Sequence, residues 1–184
     1  MRSYIERAQD FIKEIFPYIG EWNDPWDITR DIRDFNEQCN RKVIMKHGIA
    51  RIALITSDYV VKYDFDKDEV DAVGGCENEV ELYAKAVKDG FGYLFAEITR
   101  YHYNGRDFYI MPRIRGIGRE SWFHADAFMT PEENAWCDKH HLSDLHYNNY
   151  GFRGKHVCIV DYACRCDETS GNSEYASSQP DSWS

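Results

Sequence analysis

The stretch HLSDLHYNNYG, His141 to Gly151, gathers two histidines, an aspartate and two consecutive asparagines. Such side chains can accept a proton, orient a nucleophile or hold a metal ion, and they also build ordinary turns. Downstream, Asp161 follows the apolar run Val157 to Val160, and a carboxylate that ends a buried strand needs a partner or a metal. Upstream, Lys62 closes the apolar pair Val60-Val61, and Glu79 lies in the helix-like segment ENEVELYAKA. Taken alone, Lys62 reads as a snorkelling lysine and Glu79 as an exposed acid. What they can do depends on which elements carry them and on whether those elements meet.

Tyr4 to Ile19 has apolar residues at helical spacing (Ile5, Ala8, Phe11, Ile12, Ile15, Phe16) and stops at Gly20. A second helix is predicted from Pro25, capped by Asp24, through Ile28, Ile32 and Phe35. KVIMKHGIARIALITSDYVVKYDF then alternates and is rich in β-branched residues. With punctuation at His47-Gly48 and Ser57-Asp58 it predicts three short strands in a meander, and pairing across Ser57-Asp58 sets Ala53 opposite Lys62. Glu77 to Asp89 returns to helical spacing and closes on Gly90. FAEITRYHY and RDFYIMP, joined by Asn104-Gly105, give the strongest hairpin signal, because Asn-Gly supplies the two positive φ angles of a type I′ turn. Thr130-Pro131-Glu132-Glu133 announces a further helix by a capping box, carrying Ala135, Trp136 and His140 into HLSDLHYNNYG. NYGF and KHVCIVD, turning at Arg153-Gly154, form a last hairpin. A turn centred there makes residues whose numbers sum to about 307 face each other. Asp161 then lies near His146 and Cys158 near Asn149, with Asp144, Asn149 and Asp161 at one open end.

A chain of 184 residues suits one compact domain or two small lobes sharing a cleft. Lysine and arginine number 22 against 32 acidic residues, a net charge of −10, which disfavours broad binding to nucleic acid or to acidic membranes. The start, MRSYIERAQDFIKEIF, lacks the apolar run of a signal peptide, and no stretch approaches the length of a membrane span, so a cytoplasmic protein is expected. The six cysteines form no paired framework, and Cys164 and Cys166 have no second pair at zinc-site spacing. Reduced thiols without a structural metal are therefore expected. From Asp167 to Ser184 the composition turns to serine and acid with no lysine or arginine, which predicts a disordered acidic tail.

A five-stranded meander with one helix inserted after the third strand, followed by a mostly helical segment, a polar loop and a hairpin, resembles the protein kinase fold and its small-molecule relatives, the aminoglycoside and choline phosphotransferases. Val60-Val61-Lys62 resembles the lysine of the third strand, and Glu79 its helix partner. Asp144-Leu145-His146 with Asn149 resembles the phosphotransferase loop DLHxxN, and Val160-Asp161-Tyr162 the metal-binding DFG. The resemblance covers about Lys42 to Ala163 and implies an α+β, two-lobed minimal kinase-like fold. Residues 42–112 would be an antiparallel five-stranded N-lobe with one inserted helix, and 113–166 a truncated, mostly helical C-lobe with a short hairpin. Residues 1–41 would be an N-terminal helical extension and 167–184 the tail. Similar small kinase-like chains are familiar among bacterial viruses, which would make the compartment the host cytoplasm.

The resemblance implies a site for ATP, or a similar nucleotide, with Mg²⁺. Lys62 would neutralise the α and β phosphates and Glu79 would fix its direction. Asn149 and Asp161 would hold the metal, and Asp144 would take the acceptor hydroxyl's proton. Ala53 would face the adenine, Met111 to Arg113 would be the hinge that reads its edge, and Gly48 with Arg51 would contact the phosphates. The glycine-rich loop is reduced to Gly48-Ile49-Ala50-Arg51, the histidine two places before Asp144 is replaced by Leu142, and DFG has become Asp161-Tyr162-Ala163. With 23 residues after Asp161, no activation segment and no peptide-docking helices are expected. The expected activity is phosphoryl transfer to an unidentified hydroxyl acceptor, a small molecule or a protein. Nucleotidyl transfer with the same residues, a catalytically idle scaffold that inhibits a partner protein through its acidic surface, and a polyanion mimic are the alternatives.

Overall fold

The computed structural model describes residues 2–19, 25–48, 50–65, 75–115, 123–142 and 145–162. The expected helix stop at Gly20, the cap at Asp24 and the acidic tail lie outside them. Helix α1 (Tyr4–Ile15) opens with a capping box, in which Ser3 Oγ accepts the Glu6 N–H and the Glu6 carboxylate accepts the Ser3 N–H. Such a cap stabilises a helix by about 1 kcal/mol. Pro17 cannot donate to the carbonyl of Lys13, so the helix gives way to a 3₁₀ turn over Phe16–Tyr18 instead of running on to Ile19. Helix α2 spans Pro25–Cys39.

The sheet contains β1 (Ile44–His47), β2 (Arg51–Ile55), β3 (Tyr59–Asp64), β4 (Thr99–Tyr103) and β5 (Arg106–Pro112). It is antiparallel throughout in the order β1-β2-β3-β5-β4. Ala53 pairs with Lys62 as the meander predicts. The β4–β5 turn has positive φ at both Asn104 and Gly105, as Asn-Gly requires. The residues expected to begin β4 do something else: Phe95 forms a lone parallel bridge with Ile159, and the Ala96 N–H bonds to the Ile159 carbonyl at 2.8 Å.

Alternation along the strands gives the sheet two buried faces. Tyr59, Val61 and Tyr63 of β3 and Phe108 and Ile110 of β5 join Ile52 and Leu54 in one core with Phe11, Ile12 and Ile15 of α1 and Ile28, Ile32 and Phe35 of α2. At about 1.5–3 kcal/mol for each large apolar side chain, this layer anchors both N-terminal helices to the sheet. Tyr109 and Met111, on the opposite face of β5, belong to a second core that includes Trp136, Tyr150, Ile159 and Tyr162. Lys62, one residue out of phase with Val61, therefore points to that second side.

Helix α3 (Cys76–Asp89) follows β3 in sequence and ends on Gly90, whose φ of 89° makes it a left-handed cap. Helix α4 (Pro131–Lys139) carries the expected capping box between Thr130 and Glu133. His141 takes a positive φ of 56° and its N–H bonds to the Asp138 carbonyl, so it serves as the residue that ends α4.

The last hairpin joins β6 (Tyr150–Arg153) to β7 (His156–Ile159) and corrects the predicted register. Gly151, rather than Asn149, faces Cys158, because the two turn residues are Gly154 and Lys155, with Gly154 at φ 66°. The pairing continues past the strands, where the Val160 N–H bonds to the Asn149 carbonyl at 2.7 Å. Asp161 therefore follows directly on the residue bonded to Asn149. The described chain is thus an α+β protein with a five-stranded antiparallel sheet, four α-helices and a separate hairpin.

Candidate functional site

Lys62 lies on the strand face opposite the N-terminal helices, and α3 crosses that face with Glu79 one turn from its start. Glu79 is wholly buried and Lys62 nearly so. The ammonium donates to both carboxylate oxygens, 2.8 Å to Oε1 and 3.0 Å to Oε2, and to the Val160 carbonyl at 2.8 Å. These bonds use the three donors of a lysine. The Tyr162 N–H adds a bond of 3.2 Å to Glu79 Oε1. The strand bearing Lys62, the helix bearing Glu79 and the segment after β7 therefore meet at one carboxylate.

Asp161 sits on the open side of this junction, with 40% of its side chain exposed. Its Oδ1 lies 3.0 Å from the Arg51 guanidinium and 3.8 Å from the Lys62 ammonium. Arg51 also reaches Glu79 Oε1 at 3.5 Å. Two acids and two cations thus form one network. Burial pushes the Asp161 carboxyl up, but Lys62 and Arg51 outweigh it and hold the group below the ordinary value, so it is ionised at neutral pH. Burial would likewise lower the Lys62 ammonium, yet Glu79 and Asp161 hold it above its ordinary value. Burial raises the Glu79 carboxyl, and Lys62 reduces that effect. With two cations and an N–H at its oxygens, Glu79 is the anionic half of a buried ion pair.

Asp64, two residues beyond Lys62 and on the same face of β3, holds the start of α3. Both of its oxygens accept the Cys76 N–H, at 3.2 and 3.1 Å. Gly75, the residue before the helix, has no side chain to do so. Tyr162 is buried, edge-on to Phe95 at 5.0 Å between ring centres, and donates its hydroxyl to the Ala96 carbonyl at 2.8 Å. This pins the residue after Asp161.

Of the residues singled out in the sequence, Lys62, Glu79, Arg51 and Asp161 come together, and Asn149 joins them through its backbone bond to Val160. Asn149 is buried, and its N–H bonds to the His146 carbonyl at 2.9 Å. His146 Nδ1 accepts the Asn148 N–H at 3.2 Å, so this histidine shapes the loop. Ala53 lies opposite Lys62 in the sheet. Met111 is a core residue paired with Val60. Arg113 donates its backbone N–H to Asp58 and its guanidinium to the Thr56 carbonyl, which ties the expected hinge to the β2–β3 turn. Gly48 is exposed, with open space where a side chain would stand. Asp144 lies outside the described residues.

The sequence places Arg51 by the phosphates and gives no sign of its contact with Asp161 across the fold. Strand alternation does put Arg51, Ala53 and Lys62 on one face, but no sequence signal names Asp161 as the partner. Nor does the sequence announce the role of Asp64 at the start of α3, although it shares that face. Among the described residues no group of three or more His, Cys, Asp or Glu side chains is placed to hold a metal by itself. Asp161 offers one open carboxylate at this junction and Asn149 meets it through its backbone, so a divalent ion there would depend on ligand or water oxygens for most of its shell. A cavity of about 540 Å³ lies between α2 and β1, lined by residues such as Ile32, Arg33, Asn36 and Lys46, and it includes none of the charged network.

Cys39, Cys76, Cys137 and Cys158 are free thiols. Among the described residues no helix is long and apolar enough to cross a membrane. In comparisons with known proteins, no protein-family model and no curated protein matches the chain significantly.

Proposed function

We propose that this chain is a minimal kinase-like domain that binds a nucleoside triphosphate with Mg²⁺ and transfers its phosphoryl group to a hydroxyl acceptor. The observation that carries the reading is the buried Lys62–Glu79 pair, 2.8 Å long, beside the half-exposed, ionised carboxylate of Asp161. A buried ion pair is weak as a stabiliser, since apolar residues of similar size often serve as well. Beside an open carboxylate that could share a metal ion with phosphate oxygens, such a pair supports a nucleotide site.

Phosphoryl transfer asks for positioning and charge neutralisation more than covalent help. Lys62 would exchange its bond to the Val160 carbonyl for an oxygen of the α or β phosphate, while Glu79 keeps the ammonium aimed. Asp161 and Asn149 would hold Mg²⁺, which when bound neutralises phosphate oxygens. Ala53, the small residue opposite Lys62, leaves room for a base over the sheet. Asp144 would accept the proton of the attacking hydroxyl.

The test is release of ADP from ATP and Mg²⁺ against a panel of hydroxyl compounds, compared between the parent protein and Asp161→Asn. Turnover that falls at least about a hundredfold in the variant supports the reading, in line with the loss of a transition-state contact. Turnover equal in the two proteins overturns it. A second reading, a catalytically idle scaffold that binds a partner protein, is favoured by one observation: the Arg51 guanidinium already neutralises Asp161. Nucleotide binding without any turnover selects that second reading.

A further inference from the structure

We propose that Arg51 sets the metal requirement of this site, because its guanidinium takes the position of charge at Asp161 that a divalent cation would need. The inference rests on Asp161 being the metal ligand of the proposed nucleotide site. Arg51 donates to Asp161 Oδ1 at 3.0 Å and lies 3.5 Å from Glu79 Oε1, while Lys62 stands 3.8 Å from the same Asp161 oxygen. The two cations already balance the carboxylates of Asp161 and Glu79 without any ion, and Asp64, opposite Arg51 across the β2–β3 pair, is a further acid beside them. A divalent ion arriving alone would bring more positive charge than the acids of the cluster can offset. An ion arriving with a triphosphate would not.

The two cations differ in how they are held. Lys62 is sealed, with 9% of its side chain exposed and its donors shared between Glu79 and the Val160 carbonyl. Arg51 begins β2 at the rim of the sheet, with 24% of its side chain exposed, and its guanidinium bonds to the two carboxylates of Asp161 and Glu79. Arg51 is thus the cation that can leave without uncovering a buried acid, because Lys62 stays on Glu79. Once displaced, a guanidinium at that rim is placed for the phosphate oxygens that arrive with the ion, and its forked donors suit them. Free metal should then bind poorly, whereas metal and nucleotide should bind together.

The experiment uses the full-length protein and Mn²⁺ alone as the probe, followed by calorimetry and by the paramagnetic resonance of free Mn²⁺. It compares the parent, Arg51→Gln, Arg51→Lys and the double variant Arg51→Gln/Asp161→Asn. Arg51→Gln should bind Mn²⁺ about tenfold more tightly than the parent, the size expected for removing one charge-assisted competitor. Arg51→Lys should stay close to the parent, since the charge is kept, and the double variant should lose the gain. Melting curves report whether each variant is folded, and Arg51→Lys against the parent remains informative if the glutamine variant is not. Unchanged or weaker Mn²⁺ binding in Arg51→Gln, with Mg-nucleotide binding intact, overturns the role of Arg51 and leaves the nucleotide site standing. Absence of Mn²⁺ binding in every variant, with or without nucleotide, overturns both.

Discussion

Glu79 has no exposed surface, and its charge is tolerable chiefly because the Lys62 ammonium meets both of its oxygens. Lys62→Ala should therefore cost about 3–5 kcal/mol in urea denaturation, since it strands a buried carboxylate. Replacing both partners, Lys62→Met with Glu79→Leu, should recover most of that loss while abolishing nucleotide binding, because an apolar pair fills the space but aims no charge. The pH dependence follows from the signs of the shifts. The Asp161 carboxyl is lowered from its ordinary 3.8, so its contribution is complete above that value and is lost as pH falls through the lower, folded-state value. The Lys62 ammonium is raised from 10.5, so its contribution is complete below that value and is lost as pH rises through the folded-state value. Denaturation followed from about pH 5 down to about pH 2 should show an acid limb that Asp161→Asn reduces. An identical acid limb in the two proteins would contradict the coupling of Asp161 to its cations.

At the scale of elements, the site depends on how α3 is docked. Asp64 caps α3 from β3, so Asp64→Ala should cost about 1 kcal/mol and speed amide exchange in the first turn of the helix. Unchanged exchange there would mean that the cap is not what holds Glu79 in place. The hairpin has its own constraint: a Cβ on Gly151 would collide with the Arg115 carbonyl oxygen. Gly151→Ala should lower stability by about 1–3 kcal/mol through overpacking, whereas Gly48→Ala, with open space around it, should change it by less than about 0.5 kcal/mol. Thermal melts of the two variants side by side check this. These elements were legible to different degrees. Strand alternation and Asn104-Gly105 carry local, short-range information, so the meander, the first hairpin and the Ala53–Lys62 pairing could be read directly. The slip in the last hairpin has a simple cause: a lone glycine can take either position of a two-residue turn, and moving the turn by one residue moves the register by two. The bridge from Phe95 to Ile159 and the contact of Arg51 with Asp161 join distant parts of the chain, and neither leaves a periodic trace.

At the scale of the molecule, the two-sided burial of the sheet explains how a small protein can keep a charged junction. The core shared with α1 and α2 stabilises one face, so the other face is free to carry Arg51, Lys62 and Asp64 toward α3 and the hairpin. A resemblance that begins near Lys42 gives no reason for the two N-terminal helices, yet their apolar stripes are legible in the sequence and account for why strands β2, β3 and β5 are apolar on that side. The net charge of −10 makes a free anion an unlikely visitor unless cations converge, as Arg51 and Lys62 do here. The decisive measurement is the melting temperature of the full-length protein with nucleoside triphosphates, with and without Mg²⁺, beside Asp161→Asn. A nucleotide present at about 100 times its Kd should stabilise the parent by about 2.7 kcal/mol, or about 5–11 °C for a chain of this size, in Mg²⁺ and much less without it. Asp161→Asn should lose the part that depends on Mg²⁺. No shift with any nucleotide, or a shift indifferent to both Mg²⁺ and Asp161, would contradict the assignment of this junction as a metal-nucleotide site.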